Sequence, residues 1–227
     1  MVTESNDDTR PSYIKRIEKI NPEKQLSDAL TKKFGKRFSD YREQYFRILN
    51  NSKHGYDFVP DYPLNVLVEV VNKCNLECIM CLSSHRKGPT TVISDEMISK
   101  LFNEFKENKL PALMFGAGDE PLMFSGIDKM WDTANSSGIM DIFIFTNGTY
   151  LNEEMRKKIL DHNVSRVYIS LDAATEETYA KIRLNNKNIE EQATGNNKLK
   201  IITEDKNKLQ AIEENIKKLI ELRVCLL

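Results

Sequence analysis

Residues 66–81 read VLVEVVNKCNLECIMC. An apolar run from Val66 to Val71, broken only by Glu69, gives way to a loop that carries Cys74, Cys78 and Cys81. Such a run suits a buried parallel strand, because a strand covered on both faces has no polar alternation. The loop holds three of the chain's four cysteines at Cys-x3-Cys-x2-Cys spacing. Thiolates this close in sequence can wrap one compact metal centre, and we read them as the cradle of an iron–sulfur cluster. A cubane cluster ordinarily takes four cysteines, one per iron. The fourth here, Cys225, lies at the far end of the chain. A three-thiolate cluster keeps one iron open, as a reactive metal site needs. Zinc is the competing reading. His85 follows Cys81 at x3 spacing, so Cys74, Cys78, Cys81 and His85 would close a Cys3His structural site.

Downstream of the loop the chain alternates strand and helix. Ser94 is placed to cap a helix whose apolar face is Met97, Ile98, Leu101, Phe102 and Phe105. A strand over Ala112–Phe115 ends in the turn GAGDEP, and a helix around Ile127–Asn135 closes near Gly138. Ile142–Phe145 is a third strand, ending in Thr146-Asn147-Gly148. Asn152 caps the next helix, Arg166–Leu171 is a fourth strand ending at Asp172, and Thr175 caps a short helix through Ile182. This is βα repeated four times, which predicts an α/β fold: a parallel sheet curving toward a barrel. Ligands of such sheets bind at the carboxyl ends of the strands. Cys74, Gly116, Asn147 and Asp172 each follow a strand and are expected to line one mouth.

Residues 184–207 break the rhythm and read as an inserted loop or hairpin, with one short strand at Leu199–Ile202. A last helix carries Leu209, Ile212, Ile216, Leu219 and Ile220 on one stripe, and Arg223–Leu227 reads as the opening of a fifth strand. Upstream, residues 1–10 are polar and expected to be disordered. Helical spacing then runs from Tyr13 to Asn50, with Gly35 dividing two helices. The prolines of DFVPDYP, residues 57–63, forbid regular helix there. The expected domains are a helical extension over 1–60 and an incomplete (β/α) barrel over 61–227.

Composition narrows the class. The 227 residues are 40% hydrophobic and 30% charged, enough for an ordinary globular core. A net charge of −1 offers nothing to a nucleic acid. No apolar run reaches the ~18 residues of a membrane span, and MVTESNDDTR lacks the basic start and apolar middle of a signal peptide. A cytoplasmic protein with neither nucleic-acid nor membrane partner is expected. Cysteines grouped three and one are no disulfide framework, and a reducing compartment suits thiolate ligands.

Four motifs in order resemble one family, the radical S-adenosylmethionine (radical SAM) enzymes. CNLECIMC is similar to their cluster motif after the first strand, GAGDEPL to their second-strand motif, FTNGTYL to their third-strand ending and YISLDAATEETYAKIR to their fourth. The likeness covers roughly Leu64 to Arg223, and it favours the cluster over zinc. It implies a radical SAM core, a partial (β/α) barrel of parallel strands with an N-terminal helical extension, cut short after the fourth βα unit. It implies a [4Fe–4S] cluster on Cys74, Cys78 and Cys81, with S-adenosylmethionine on the open iron. Met80 then falls where the family places a side chain against adenine. Gly118 and Glu120 match the motif that receives the methionine amino group, although Asp119 stands where a glycine is more usual. Ser170 and Asp172 fall where the family reaches the ribose, and Asn147 and Arg183 are further cofactor contacts. Outside the resemblance, Asn147 reads as a turn residue before Gly148 and Arg183 as a solvated helix-end cation. The implied chemistry is reductive cleavage of the cofactor to a 5′-deoxyadenosyl radical that abstracts hydrogen from a substrate, fed by a flavodoxin or ferredoxin. The run YREQYF … YPLNVLVEVVNKCN resembles members that act on peptides or in surface-polysaccharide clusters. The rival expectations are a non-catalytic iron–sulfur protein or subunit, and a Cys3His zinc protein.

Overall fold

The computed structural model describes residues 22–51, 58–184 and 207–224. The chain divides into two compact units, Met1–Val59 and Pro60–Leu227. In the first, helices α1 (Pro22–Phe34) and α2 (Lys36–Asn51) are separated by Gly35 alone, which takes φ +62°. Arg42 bonds Glu23 of α1 at 2.8 Å while its guanidinium lies 4.7 Å from the centre of the Phe46 ring. One cation thus ties the two helices and covers an aromatic side chain. The expected helix before residue 22 and the polar start lie outside the described residues.

The second unit is a single parallel sheet. Strands β1 (Asn65–Val68), β2 (Ala112–Phe115), β3 (Asp141–Thr146) and β4 (Arg166–Ile169) pair in sequence order. Helix α3 (Asp95–Glu107) joins β1 to β2, α4 (Ile127–Ser136) joins β2 to β3, and α5 (Glu153–Asp161) joins β3 to β4. Helix α6 (Glu176–Tyr179) follows β4 and widens into a π turn, Ala180–Leu184; α7 (Lys208–Val224) comes last. The caps fall where short polar side chains predict them. Ser94 accepts from Met97 N, Asn152 from Met155 N and Thr175 from Thr178 N. The Glu176 carboxylate accepts from Leu209 N (3.1 Å) and Gln210 N (2.7 Å), which fastens the start of α7 to α6.

Side chains alternate across each strand. Val66, Val68, Leu113, Phe115, Ile142, Ile144, Val167 and Ile169 face the helices and share one core with Phe102, Phe105 and Trp131. Leu67, Met114 and Phe143 stand in register on the opposite face, and Phe145 stacks on Tyr168 at 4.6 Å. That face is less covered: Leu67 is 40% exposed and Tyr168 43%. The continuous apolar runs therefore mark one face packed on helices and a second, partly open apolar face.

β1 is shorter than its apolar run. Its partner β2 ends at Phe115, where Gly116 turns at φ +73°. Val70 and Val71 then find other partners: the Val70 carbonyl accepts from Ile93 N (3.0 Å), and Val71 bridges Val92. The expected fifth strand is corrected at its start. Arg223 and Val224 belong to α7, which runs through them. A helix satisfies its own backbone, whereas a strand there would need a neighbour. Residues 225–227, and the strand expected at Leu199–Ile202, lie outside the described residues. Among the described residues no helix is long and apolar enough to cross a membrane.

Candidate functional site

In a parallel sheet every strand ends on the same side, so the segments after β1, β2, β3 and β4 meet there. The cysteine loop is built from short-range bonds. Cys81 N donates to the Cys78 carbonyl (3.0 Å), and the Ser84 hydroxyl lies 2.9 and 2.6 Å from the carbonyls of Cys78 and Cys81. Ile79 N donates to the Ile182 carbonyl at 3.0 Å. That carbonyl belongs to the last turn of the helix after β4, where acceptors are left over.

Each sulfur meets a different part of the mouth. Cys74 Sγ accepts from Leu76 N (3.4 Å) and from Asn147 Nδ2 after β3 (3.6 Å). Cys78 Sγ accepts from Arg183 Nη1 after β4 (3.5 Å). Cys81 Sγ lies 3.9 Å from the carbonyl oxygen of Gly118 after β2. None of the three is in a disulfide. Burial pushes the Cys74 thiol up to about 11. A thiol so placed keeps its proton at neutral pH unless a metal replaces it.

The turn after β2 is pinned from several directions. A Cβ on Gly116 would come within 2.6 Å of Pro121 and 2.9 Å of the Phe145 carbonyl, so only glycine fits. Glu69, the lone charge in the β1 run, accepts from Ala117 N (2.9 Å) and Gly118 N (2.8 Å) through one oxygen. Asp119, whose side chain is 2% exposed, accepts from the Ser83 hydroxyl and pairs with Arg86 Nη1 (2.5 Å). Glu120 is 1% exposed and turned inward. Oε1 accepts from Thr146 Oγ1 (2.7 Å) and Leu122 N (3.2 Å), and Oε2 accepts from Asn147 N (2.7 Å). Burial raises its carboxyl to about 7 despite these donors. Glu120 therefore ties the ends of β2 and β3 together, and the Gly118 carbonyl is the acceptor beside Cys81.

On the β4 side Asp172 takes φ +56° and forms an ion pair with Arg183. Arg183 is 8% exposed and is no solvated cation. Among the described residues its buried Nε has no hydrogen-bond partner. Ser170 is half-buried, its N–H donating to the Thr146 carbonyl (2.9 Å), and Met80, beside Cys81, is 57% exposed. Asn147 is both turn residue and site residue: Gly148 follows at φ +81°, while the Asn147 side chain reaches Cys74. Sequence reasoning missed Glu69, Asn75, Thr146 and Thr149. Only Glu69 carried a signal, since a charge in an apolar strand must find partners. Among the described residues no group of three or more His, Cys, Asp or Glu side chains is already gathered to hold a metal ion.

The described fold is a parallel βα sheet with a three-cysteine loop at the carboxyl ends of its strands. Residues 68–225 match the family model of the radical SAM superfamily, and the chain belongs to that superfamily. Membership implies S-adenosylmethionine and an iron–sulfur cluster. The probable GTP 3′,8-cyclase of Methanocaldococcus jannaschii is 31% identical over 122 residues, 51% of this chain and 38% of that protein. The 7,8-dihydro-6-hydroxymethylpterin dimethyltransferase of the same organism is 29% identical over 120 residues, 51% of this chain and 24% of that protein. The matched stretch thus spans well under half of either relative. Among solved structures, native anSMEcpe with bound AdoMet aligns over 69% of this chain and 41% of that one, with TM-score 0.52 and 19% identity, a likeness of fold.

The residues present fit both groups. The sulfurs of Cys74 and Cys78 face N–H donors, partners suited to the negatively charged ligand sulfurs of a cluster. The unpartnered Arg183 Nε offers a buried donor to a carboxylate-bearing ligand.

Proposed function

We propose that this chain is a radical SAM enzyme, or the N-terminal portion of one, with a [4Fe–4S] cluster on Cys74, Cys78 and Cys81 and S-adenosylmethionine at the adjoining strand ends. The observation that carries the reading is that the three sulfurs individually meet Asn147, Arg183 and Gly118, which lie in the segments following three other strands. When bound, the two groups supply reductive carbon–sulfur cleavage to a 5′-deoxyadenosyl radical for hydrogen abstraction.

The chain's own residues bind and orient. The Gly118 carbonyl, held by Glu69 and Asp119 on either side of it, accepts from the cofactor ammonium. Glu120 acts behind that turn, fixing where β2 and β3 end. The Arg183 guanidinium takes the cofactor carboxylate through its free Nε. Asp172 and Ser170 would serve the ribose, and Met80 would contact the adenine. A flavodoxin or ferredoxin is the proposed electron donor.

Anaerobic reconstitution with iron and sulfide tests this. A brown protein with broad visible absorbance is expected, releasing 5′-deoxyadenosine when given dithionite and S-adenosylmethionine. Cys78→Ala abolishes the cluster and Cys225→Ala leaves it intact. A colourless zinc protein, or loss of cluster in the Cys225 variant, would overturn the three-thiolate assignment.

A further inference from the structure

The sulfur of Cys74 sits against a closed ring of side chains. Asn147 Nδ2 donates to Asn75 Oδ1 (2.8 Å), Asn75 Nδ2 donates to Thr149 Oγ1 (2.9 Å), and Thr149 Oγ1 donates to Asn147 Oδ1 (2.6 Å). The ring's direction is not free. Thr149 N donates to Asn147 Oδ1 at 2.9 Å, and a backbone amide can only donate. Oδ1 must therefore face Thr149, which turns Nδ2 to Asn75 and Cys74. One Nδ2 hydrogen goes to Asn75 and the other to Cys74 Sγ at 3.6 Å. Asn147 N is taken by Glu120 Oε2 at 2.7 Å. At 5% exposure the side chain has no donor or acceptor left over for a cofactor.

The geometry points to Asn147 as a positioning residue that sets the reduction potential of the cluster through the Cys74 sulfur, an inference that rests on the cluster assignment above. A reduced cluster carries one more negative charge, spread partly over its sulfurs. An N–H aimed at a ligand sulfur stabilises that charge more in the reduced state, so it raises the potential. The three sulfurs differ in this respect. Cys74 has two N–H donors fixed by the protein. Cys78 has a guanidinium shared with Asp172, and Cys81 faces a carbonyl. The Cys74 donor is oriented by the backbone amide of Thr149, which needs no ligand, so its contribution is built into the fold.

The test is a redox titration of the reconstituted cluster followed by electron paramagnetic resonance. Asn147→Leu removes the donor at similar volume. At a fixed poise its reduced-to-oxidised ratio is expected to fall about tenfold, ~59 mV for a one-electron couple. Thr149→Val opens the ring but keeps the backbone amide that orients Asn147, so its potential stays at the parent value. An unchanged potential in Asn147→Leu, or equal shifts in both variants, overturns the inference and leaves the cluster assignment standing. If Asn147→Leu holds no cluster, the unaltered protein decides. With ¹⁵N confined to asparagine side-chain amides, the reduced cluster should show a ¹⁵N hyperfine coupling, and its absence overturns the inference. Failure of the parent protein to bind a cluster would bring down the proposed function, and this inference with it.

Discussion

On the β3 flank of the mouth, the Glu120 carboxylate accepts from the Thr146 hydroxyl and from Asn147 N, and all three residues are buried. On the β4 flank, Arg183 pairs with a half-open Asp172 and keeps a buried Nε without a partner. The closed flank positions: its bonds hold strand ends and a cysteine sulfur in place whether or not a ligand is present. The open flank receives, because an unsatisfied buried donor gains most when a ligand arrives. Substitutions on the two flanks should therefore separate folding from binding.

The largest effect belongs to the closed flank. Glu120→Ala strands Asn147 N, Leu122 N and the Thr146 hydroxyl together, and should cost about 3–5 kcal/mol by denaturant unfolding. The parent carboxyl also predicts a pH dependence. Its folded value is raised from 4.5 to about 7, so between those values the folded state holds a proton that the unfolded state gives up. The stabilisation from that proton is fully present below pH 4.5 and is lost as pH rises through about 7. In the metal-free protein the loss amounts to roughly 3 kcal/mol at ~1.36 kcal/mol per unit. Glu120→Gln should flatten this component, read as the difference between the two stability profiles. A parent profile no steeper than that of the glutamine variant would mean the buried carboxyl is already ionised.

The open flank should show the opposite pattern. Arg183→Met removes the unpartnered donor and is expected to weaken S-adenosylmethionine binding to the cluster-loaded protein at least about tenfold, the scale of one charge-assisted hydrogen bond. Folding stability should change by less than about 1 kcal/mol, since the Asp172 side chain left behind is 43% exposed and can be hydrated. Equilibrium dialysis against denaturation separates the two. Equal losses in binding and stability would erase the distinction between the flanks.

Much of this was legible beforehand because its signals are local. Apolar runs bounded by Gly116 and Asn147 placed β2 and β3 to within a residue at each end, the run before Asp172 overshot β4 by two residues, and single polar residues at Ser94, Asn152 and Thr175 placed the caps. β1 was read too long because nothing within 66–71 records where β2 stops. The C-terminal RVCLL suits either state by composition, and the helix that starts at Lys208 runs on through Arg223 and Val224. The site residues were found as types rather than as partners. Glu120 was read as facing a ligand, but its acceptors are taken by β3, a choice made by sheet register. The Asn75–Asn147–Thr149 ring joins residues more than 70 positions apart and has no sequence signature.

Asp119 offers the smallest and most specific test. It stands where the resembling family more often has glycine, and its φ is not in the left-handed region, so glycine is not required there. Its carboxylate instead fastens the turn after β2 to Ser83 and Arg86, just beyond the third cysteine. Asp119→Gly removes that tie and adds backbone freedom. The expected cost is about 1–2 kcal/mol, from one hydrogen bond and the flexibility of glycine, because the Arg86 side chain left behind is 42% exposed and can be hydrated. Glu69 still holds the amides of Ala117 and Gly118, so the cluster should remain and cofactor affinity should fall only a few-fold. Loss of the cluster in this variant would show that the β2 turn supports the cysteine loop through Asp119, and that the anchoring centred on Cys74 and Arg183 is not sufficient.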